Sequence, residues 1–110
     1  MAEIKEIKQI KKIKKNSITL SKSVTYNGVE YTELDFDFEK LTGADGMSIE
    51  AELQAQGIAV LVESVSGPYL ARLAIRACKQ PIGVDIFDDM ALNDYVSIKG
   101  MAKSFLLKSN

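Results

Sequence analysis

Residues 34–53, LDFDFEKLTGADGMSIEAEL, decide the fold because their pattern changes from that of a strand to that of a helix. In the first half, the apolar residues Leu34, Phe36 and Phe38 alternate with acidic residues. This period of two predicts a strand with rings on one face and carboxylates on the other. Further on, Thr42 and Asp45 have the spacing of a capping box, in which each side chain bonds a backbone N–H at the start of a helix. The stretch therefore joins a sheet to a helix.

The predicted helix extends from about residue 44 to residue 56, and Gly57 is expected to cap its C-terminal end. Its apolar positions form a thin stripe, which consists of Ala44, Met47, Ala51 and Ala55. The run that follows, residues 58–62, is the most apolar part of the sequence and is rich in β-branched residues. A run this short fits a buried strand, a continuation of the helix or an exposed surface for a partner, and the three alternatives stay open.

On the N-terminal side, Asn27-Gly28 between two β-prone runs predicts a hairpin with a type I′ turn, because both residues tolerate positive φ. A two-residue turn pairs Tyr26 with Val29, Val24 with Tyr31 and Lys22 with Glu33. The apolar residues after the turn lie at odd positions up to Tyr31 and at even positions from Leu34 onward. One regular strand cannot place both sets on the same face, so a bulge or bend is predicted near residues 32–33.

Two further helices are predicted. The first begins at Ser66-Gly67-Pro68 and ends before Pro81, and the second begins near residues 92–94, where Asn93 or Asp94 is expected to cap it. The apolar stripe of the first consists of Leu70, Leu73, Ala74 and Ala77, with Cys78 at its border. The apolar positions of the second are Leu92, Tyr95, Val96, Ala102, Phe105 and Leu106. In the connector between them, four apolar residues are expected to reach the core: Ile82, Val84, Ile86 and Phe87. The residues expected to be buried together in that core are Phe36, Phe38, Leu70, Leu73, Ala74, Val96 and Phe105.

These elements predict an α+β fold, with a small N-terminal antiparallel β-hairpin over residues 18–38 followed by about three packed α-helices over residues 42–108. At 110 residues the chain is expected to form one domain, residues 17–110, preceded by a basic arm, residues 1–16. The arm holds six lysines against two glutamates, a balance of +4, whereas the remainder has a balance of −5. Isoleucines recur in the arm at Ile4, Ile7, Ile10 and Ile13. The arm is expected to be a flexible or helical segment, and its lack of arginine and aromatic residues argues against specific nucleic-acid binding.

No catalytic, metal or cofactor site is predicted. The sequence has no histidine, which removes the commonest general base and the commonest metal ligand. The aspartates at positions 85, 88 and 89 lack the spacing of a calcium loop and fit a solvated turn. Cys78 has no histidine to activate it and fits a buried apolar position. The chain is therefore expected not to be an enzyme.

The single cysteine and a start without the apolar core of a signal peptide predict a cytoplasmic protein. No apolar run reaches the ~18 residues that a membrane helix needs, so no membrane partner is expected.

Residues 18–45, ITLSKSVTYNGVEYTELDFDFEKLTGAD, resemble the opening of the E-type phage tail assembly chaperones. That family begins with a short I-x-L strand, a turn containing glycine, and an L-x-[FL]-x-x-L-T-G-x-D segment that enters a helix. The residues of this family-like motif are Phe36, Phe38, Leu41, Thr42, Gly43 and Asp45. The later ARLAIRACKQP helix and the closing helix also resemble the family, so the likeness spans about residues 18–107. The arm and Gly46 depart from the family pattern.

The resemblance implies a non-catalytic phage or prophage protein that binds the tape measure protein and keeps it soluble during tail morphogenesis. It implies a location in the bacterial host cytoplasm and absence from the mature virion. Further partners that it implies are the tail tube protein and a longer, frameshifted form of the same chaperone, and homo-oligomerisation is left open. The residues expected to bind the partner are Ile58, Val60, Leu61 and Val62, with a basic stripe of Arg72, Arg76 and Lys79 as a rim.

Two other classes of function stay open. One is a basic-armed nucleic-acid-binding or small regulatory protein, whose binding would weaken steeply with salt. The other is a structural head–tail component of the virion, which would copurify with finished particles.

Overall fold

The computed structural model describes residues 17–108, which form a two-stranded antiparallel sheet followed by three α-helices. The strands are β1 (Ser17–Tyr26) and β2 (Val29–Asp35), and the helices are α1 (Gly43–Ala55), α2 (Gly67–Ala77) and α3 (Leu92–Leu107). Short 3₁₀ segments lie between them at Phe38–Lys40, Glu63–Val65 and Val84–Asp89. The predicted α+β class is confirmed. The predicted arm, residues 1–16, lies outside the described residues.

The hairpin turns where the sequence predicts. Asn27 and Gly28 have φ values of 50° and 81°, the left-handed conformations that a type I′ turn requires. The pairs Tyr26–Val29 and Val24–Tyr31 are both present. The predicted turn and the first part of the ladder are therefore confirmed.

The ladder changes register next to Thr32. Residues 20–23 of β1 intervene between two ladder pairs, whereas only Thr32 intervenes on β2, so Glu33 pairs with Thr19. The irregularity lies where the parity of the sequence predicts it, but the extra residues belong to β1, and the predicted Lys22–Glu33 pair is wrong. Because β1 has an odd number of extra residues, the side chains beyond the irregularity change to the opposite face of the sheet. Leu34 is therefore buried in the same core as Val24.

The hairpin ends at Asp35, earlier than the predicted residue 38. Phe36 forms an isolated bridge with Cys78, and Phe38 lies in a 3₁₀ segment instead of a strand. Both rings are nevertheless buried and stacked, with their centroids 5.9 Å apart. The rings are thus buried as the alternation predicts, although the strand ends at Asp35 and does not include them.

Replacing Gly28 with valine is expected to lower the free energy of unfolding by about 2 kcal/mol, because a β-branched residue is strained at positive φ. No atom lies within 4 Å of a Cβ built at Gly28, so the loss would come from the backbone alone. Urea unfolding measures it. Gly43→Val is the matched control, since Gly43 has equally open space and no positive φ. Equal losses in the two variants would contradict the expectation.

Helix α1 has the predicted ends. Asp45 Oδ2 accepts the backbone N–H of Thr42 at 2.9 Å, which is the Asp45 half of the predicted capping box. Gly57 has φ 77°, and the N–H of Ile58 donates to the carbonyl of Leu53 at 2.8 Å. This is a glycine-terminated Schellman cap, so Gly57 ends the helix as predicted.

The buried face of α1 differs from the predicted apolar stripe. Ile49 and Leu53, four residues apart, are fully buried. The residues of the predicted stripe are all exposed: Ala44, Met47, Ala51 and Ala55. The stripe is therefore wrong as a packing face, since two large aliphatic side chains bury far more apolar area than several alanine methyl groups.

Helix α2 agrees with the prediction. Ser66 caps it by accepting the N–H of Tyr69 at 3.3 Å. Its predicted stripe is buried throughout: Leu70, Leu73, Ala74, Ala77 and Cys78. A Cβ at Gly46 of α1 would lie 3.1 Å from the hydroxyl of Tyr69, so the small residue lets α1 and α2 approach.

The packing face of α3 is rotated relative to the prediction. Ile98 and Ala102 are in the core, Phe105 is half-buried, and Leu92 and Val96 are exposed, so the predicted burial of Val96 is wrong. The predicted cap is also wrong, because the N-cap position is Ala91. Asp94 is instead only 4% exposed and accepts hydrogen bonds from Ser21 of β1. In the connector, Ile86 is buried, and Ile82, Val84 and Phe87 are half-buried.

Within residues 17–108, no helix is both long and apolar enough to cross a membrane.

Candidate functional site

The apolar run 58–62 forms neither a strand nor a helix. It follows the Schellman cap of α1 without regular secondary structure and leads into the 3₁₀ segment Glu63–Val65. Ile58 and Val60 pack against the core, whereas Leu61 is 92% exposed and Val62 is 53% exposed. The run is therefore a surface segment in which Ile58 and Val60 face the core and Leu61 and Val62 face outward. The outward pair, together with the exposed Val65, is called the 61–65 surface below.

The arginines of the basic stripe do not form a solvated face. Arg72 Nε lies 2.7 Å from Glu52 Oε2, and Arg76 Nη1 lies 3.1 Å from Asp45 Oδ1. Both pairs join α2 to α1, and Arg76 also donates to Ser48 at 2.7 Å. Both guanidinium groups are thus engaged in contacts within the fold.

Lys79 lies apart from the two arginines. It follows α2, its side chain is exposed, and its backbone N–H donates to the carbonyl of Asp35 at 2.7 Å. Ile58 and Arg72 line a common depression of about 470 Å³. The structure therefore brings one predicted apolar residue next to one predicted basic residue, and leaves Leu61 and Val62 outside that depression. Their roles in partner binding stay predictions.

The family-like motif has structural roles at every position. Phe36 and Phe38 are core residues, Leu41 packs against the core, Thr42 caps α1 and Gly43 is its first residue. Asp45 accepts the Thr42 N–H and an Arg76 hydrogen bond, and these interactions hold the pKa of Asp45 below its usual value. The motif therefore builds the junction of hairpin and helices and presents no reactive group.

A groove on the outer side of α3 is the feature that sequence reasoning missed. Its apolar floor consists of Phe38, Met101 and Phe105, and the ring centroids of the two phenylalanines are 5.4 Å apart. Glu39 and Lys108 border it and form an exposed ion pair at 3.4 Å. Its volume is about 660 Å³, within the range of small-ligand pockets. We call it the α3 groove.

The chain has one cysteine and several acidic side chains whose surroundings the structure describes. Cys78 is buried, and burial raises the pKa of its thiol, which disfavours the reactive thiolate. No cluster of three or more potential metal-binding side chains is present in this part of the chain. Asp85 accepts a hydrogen bond from the Tyr26 hydroxyl at 2.8 Å and so anchors the tip of the hairpin.

One carboxyl pair yields a pH prediction. Hydrogen bonding with Glu63, and its negative charge, raise the pKa of Glu50 above the ordinary value of 4.5. Because the folded-state pKa is the higher one, the pair favours folding fully below pH 4.5, and this contribution is lost as the pH rises through the raised pKa. Glu63→Gln is expected to raise stability at pH 7 and to flatten its pH dependence above pH 4.5.

Urea midpoints measured across this pH range test the expectation. Glu30→Gln is the control, since Glu30 is an exposed glutamate on β2, away from the pair. A pH dependence unchanged by Glu63→Gln would show that the two carboxyl groups do not interact.

Comparison of the chain with protein-family models, with curated proteins and with solved structures gives no match.

Proposed function

We propose that this protein is a non-catalytic phage or prophage tail assembly chaperone, which binds the tape measure protein in the host cytoplasm and keeps it soluble during tail morphogenesis. The family resemblance of residues 18–107 motivates the proposal. The structural observation that supports it is the 61–65 surface, where three of five consecutive residues, Leu61, Val62 and Val65, are exposed apolar side chains. Apolar side chains presented together suit the apolar stripe of an amphipathic helix.

The arginines have a smaller part in this proposal than the sequence predicts. Arg72 and Arg76 would have to leave Glu52 and Asp45 before they could pair with a partner. Binding therefore rests on apolar contact, which should survive moderate salt. Binding by the lysine-rich arm alone would weaken at the ~0.15 M ionic strength where the screening length falls to about 8 Å.

Coexpression with the tape measure protein tests the proposal. The intact chain is expected to keep the tape measure protein in the soluble fraction, and the double variant Leu61→Asp/Val62→Asp is expected to lose that effect. Val29→Asp is the matched control, because Val29 is 50% exposed, much like Val62, but lies at the hairpin turn.

Three outcomes would contradict parts of the proposal. If the tape measure protein is no more soluble with the intact chain than alone, the function is wrong. If Val29→Asp lowers the solubility of the tape measure protein as much as the double variant does, the 61–65 surface is not the binding surface. If deletion of residues 1–16 abolishes the effect while the double variant retains it, the arm is the binding site. Recovery of the protein in purified virions would favour the structural alternative.

A further inference from the structure

Helix α3 has an exposed and partly apolar face on the side away from the core. Five residues follow one another there at intervals of three or four, so they share one face of the helix: Leu92, Val96, Gly100, Lys103 and Leu107. All five are exposed, and the three large apolar side chains are each more than half exposed. We call these five residues the α3 face. It holds three of the eight large apolar residues that are exposed in residues 17–108, so exposed apolar side chains are concentrated on this helix.

Gly100 lies at the centre of the α3 face, because Leu92 precedes it by eight residues and Leu107 follows it by seven. A glycine inside a helix lowers the stability of that helix relative to alanine, so a packing reason is expected. No atom of residues 17–108 lies within 4 Å of a Cβ built at Gly100, whereas a Cβ at Gly46 would meet Tyr69. Gly100 thus has no packing role within this part of the chain, and it leaves room for another backbone to approach α3 from outside.

The arrangement of the α3 face is complementary to a second copy of itself. When two α3 helices cross in antiparallel orientation at Gly100, Leu92 of one copy lies opposite Leu107 of the other, and a two-fold axis repeats the pair. Val96 then lies opposite Lys103 of the second copy, whose methylene groups offer apolar surface. The glycine at the crossing lets the two helices come close enough for their side chains to interdigitate.

The charges around the α3 face favour the antiparallel orientation. Asp88 and Asp89 are exposed just before the N-terminal end of α3, and Lys103 is exposed near the C-terminal end. An antiparallel pair brings the acidic end of each helix to the basic end of the other, and the opposed helix dipoles act in the same direction. Lys99, next to the centre of the face, has its Nζ 4.3 Å from the centroid of the Tyr95 ring. This contact holds the lysine charge beside the ring and away from the crossing point.

We propose that two copies of this chain associate through the α3 face, with the helices antiparallel and crossing at Gly100. One face of a 16-residue helix is only about 24 Å long, and it buries less than the roughly 1,200–2,000 Å² of a standard interface. The dimer is therefore expected to dissociate on dilution in the micromolar range. The α3 face is separate in sequence from the 61–65 surface, and the proposal does not depend on the proposed function.

Sedimentation equilibrium of the full-length chain over a micromolar concentration series tests the proposal. The mass is expected to rise from 12.1 kDa toward twice that value. Gly100→Glu places two carboxylates at the crossing, and their repulsion is expected to raise the dissociation constant about tenfold or more. The variant is expected to fold, because the space at Gly100 is open and glutamate favours a helix more than glycine does, and urea unfolding at low concentration checks this. Leu61→Glu is the matched control, since it adds the same charge at an exposed residue of the 61–65 surface and should leave the dissociation constant unchanged.

A mixed sample tests the two-fold axis. Gly100→Lys alone is expected to associate as weakly as Gly100→Glu, whereas an equal mixture of the two should recover the dimer, because opposite charges then meet at the crossing. A chain that stays monomeric over the series, or a Gly100→Glu variant that dimerises as tightly as the intact chain, would overturn the proposal. Dissociation caused by Leu61→Glu alone would overturn it in favour of the 61–65 surface. A mixture that stays monomeric would overturn the antiparallel crossing at Gly100.

Discussion

Replacing Phe38 with alanine is expected to lower the free energy of unfolding by about 3–5 kcal/mol, the usual loss when a buried phenylalanine is truncated. Phe38 is only 6% exposed, and its ring stacks on Phe36 on one side and on Phe105 on the other, with centroid distances of 5.9 Å and 5.4 Å. Phe38 thus joins the segment after β2 to α3. Urea unfolding at pH 7 measures the loss.

Two further variants show whether the loss of unfolding free energy comes from the cavity at Phe38 or from the removal of any aromatic ring. Phe38→Leu keeps most of the volume and is expected to cost about 1 kcal/mol. Phe87→Ala removes a half-buried ring that contacts Tyr95 edge-on at 5.0 Å, so it is expected to cost clearly less than Phe38→Ala. If Phe38→Ala costs no more than Phe87→Ala, Phe38 is not a central core residue.

The local features of the fold could be predicted because short-range chemistry determines them. Asn27-Gly28 requires little beyond its own φ values to form the turn, and Gly57 ends α1 for the same reason. The parity change between Tyr31 and Leu34 predicted the irregularity, since one regular strand cannot place both residues on the same face of the sheet. Which strand carries the extra residues depends on what lies against the sheet, and the sequence of the hairpin does not contain that information.

The helix faces were harder to predict because tertiary contacts choose among several apolar stripes. In α1, Ile49 and Leu53 are the buried pair, whereas the four positions of the predicted stripe are exposed, and α1 packs against α2. In α3 the charged residue Asp94 lies on the buried side while Val96 is outside. A pattern that assigns acids to the surface therefore rotates the helix wrongly.

In the candidate site, too, local features could be predicted from the sequence and tertiary contacts could not. The sequence left the run 58–62 open among a buried strand, a continuation of the helix and an exposed partner surface. The structure shows neither strand nor helix there and exposes Leu61 and Val62, while partner binding stays a prediction. The ion pairs of Arg72 and Arg76 could not be predicted, because their acidic partners lie 20 and 31 residues away in sequence. The α3 groove forms between two elements that are distant in the chain, so no local pattern marks it.

Asp94 explains why the irregularity of β1 is stable. Ser21 lies among the residues of β1 that lack a ladder partner on β2, so its backbone N–H needs another acceptor. The two Asp94 oxygens lie 2.9 Å and 3.1 Å from that nitrogen, and the Ser21 hydroxyl donates to Oδ2 at 3.0 Å. Asp94 is in the first turn of α3, where the helix dipole also favours a carboxylate.

Asp94→Ala is therefore expected to lower the free energy of unfolding by about 3 kcal/mol, since it removes charge-assisted hydrogen bonds and leaves the Ser21 N–H without its acceptor. Asn93→Ala is the matched control: Asn93 is exposed, and its side chain only accepts the Ser21 hydroxyl at 3.2 Å, so the loss should stay within about 0.5 kcal/mol. Hydrogen exchange adds a local readout, because the Ser21 amide should exchange faster in Asp94→Ala while the Val24 amide changes less. Equal losses in the two variants would mean that the hairpin holds its irregular register by itself, whereas a loss confined to Asp94→Ala would show that α3 holds it.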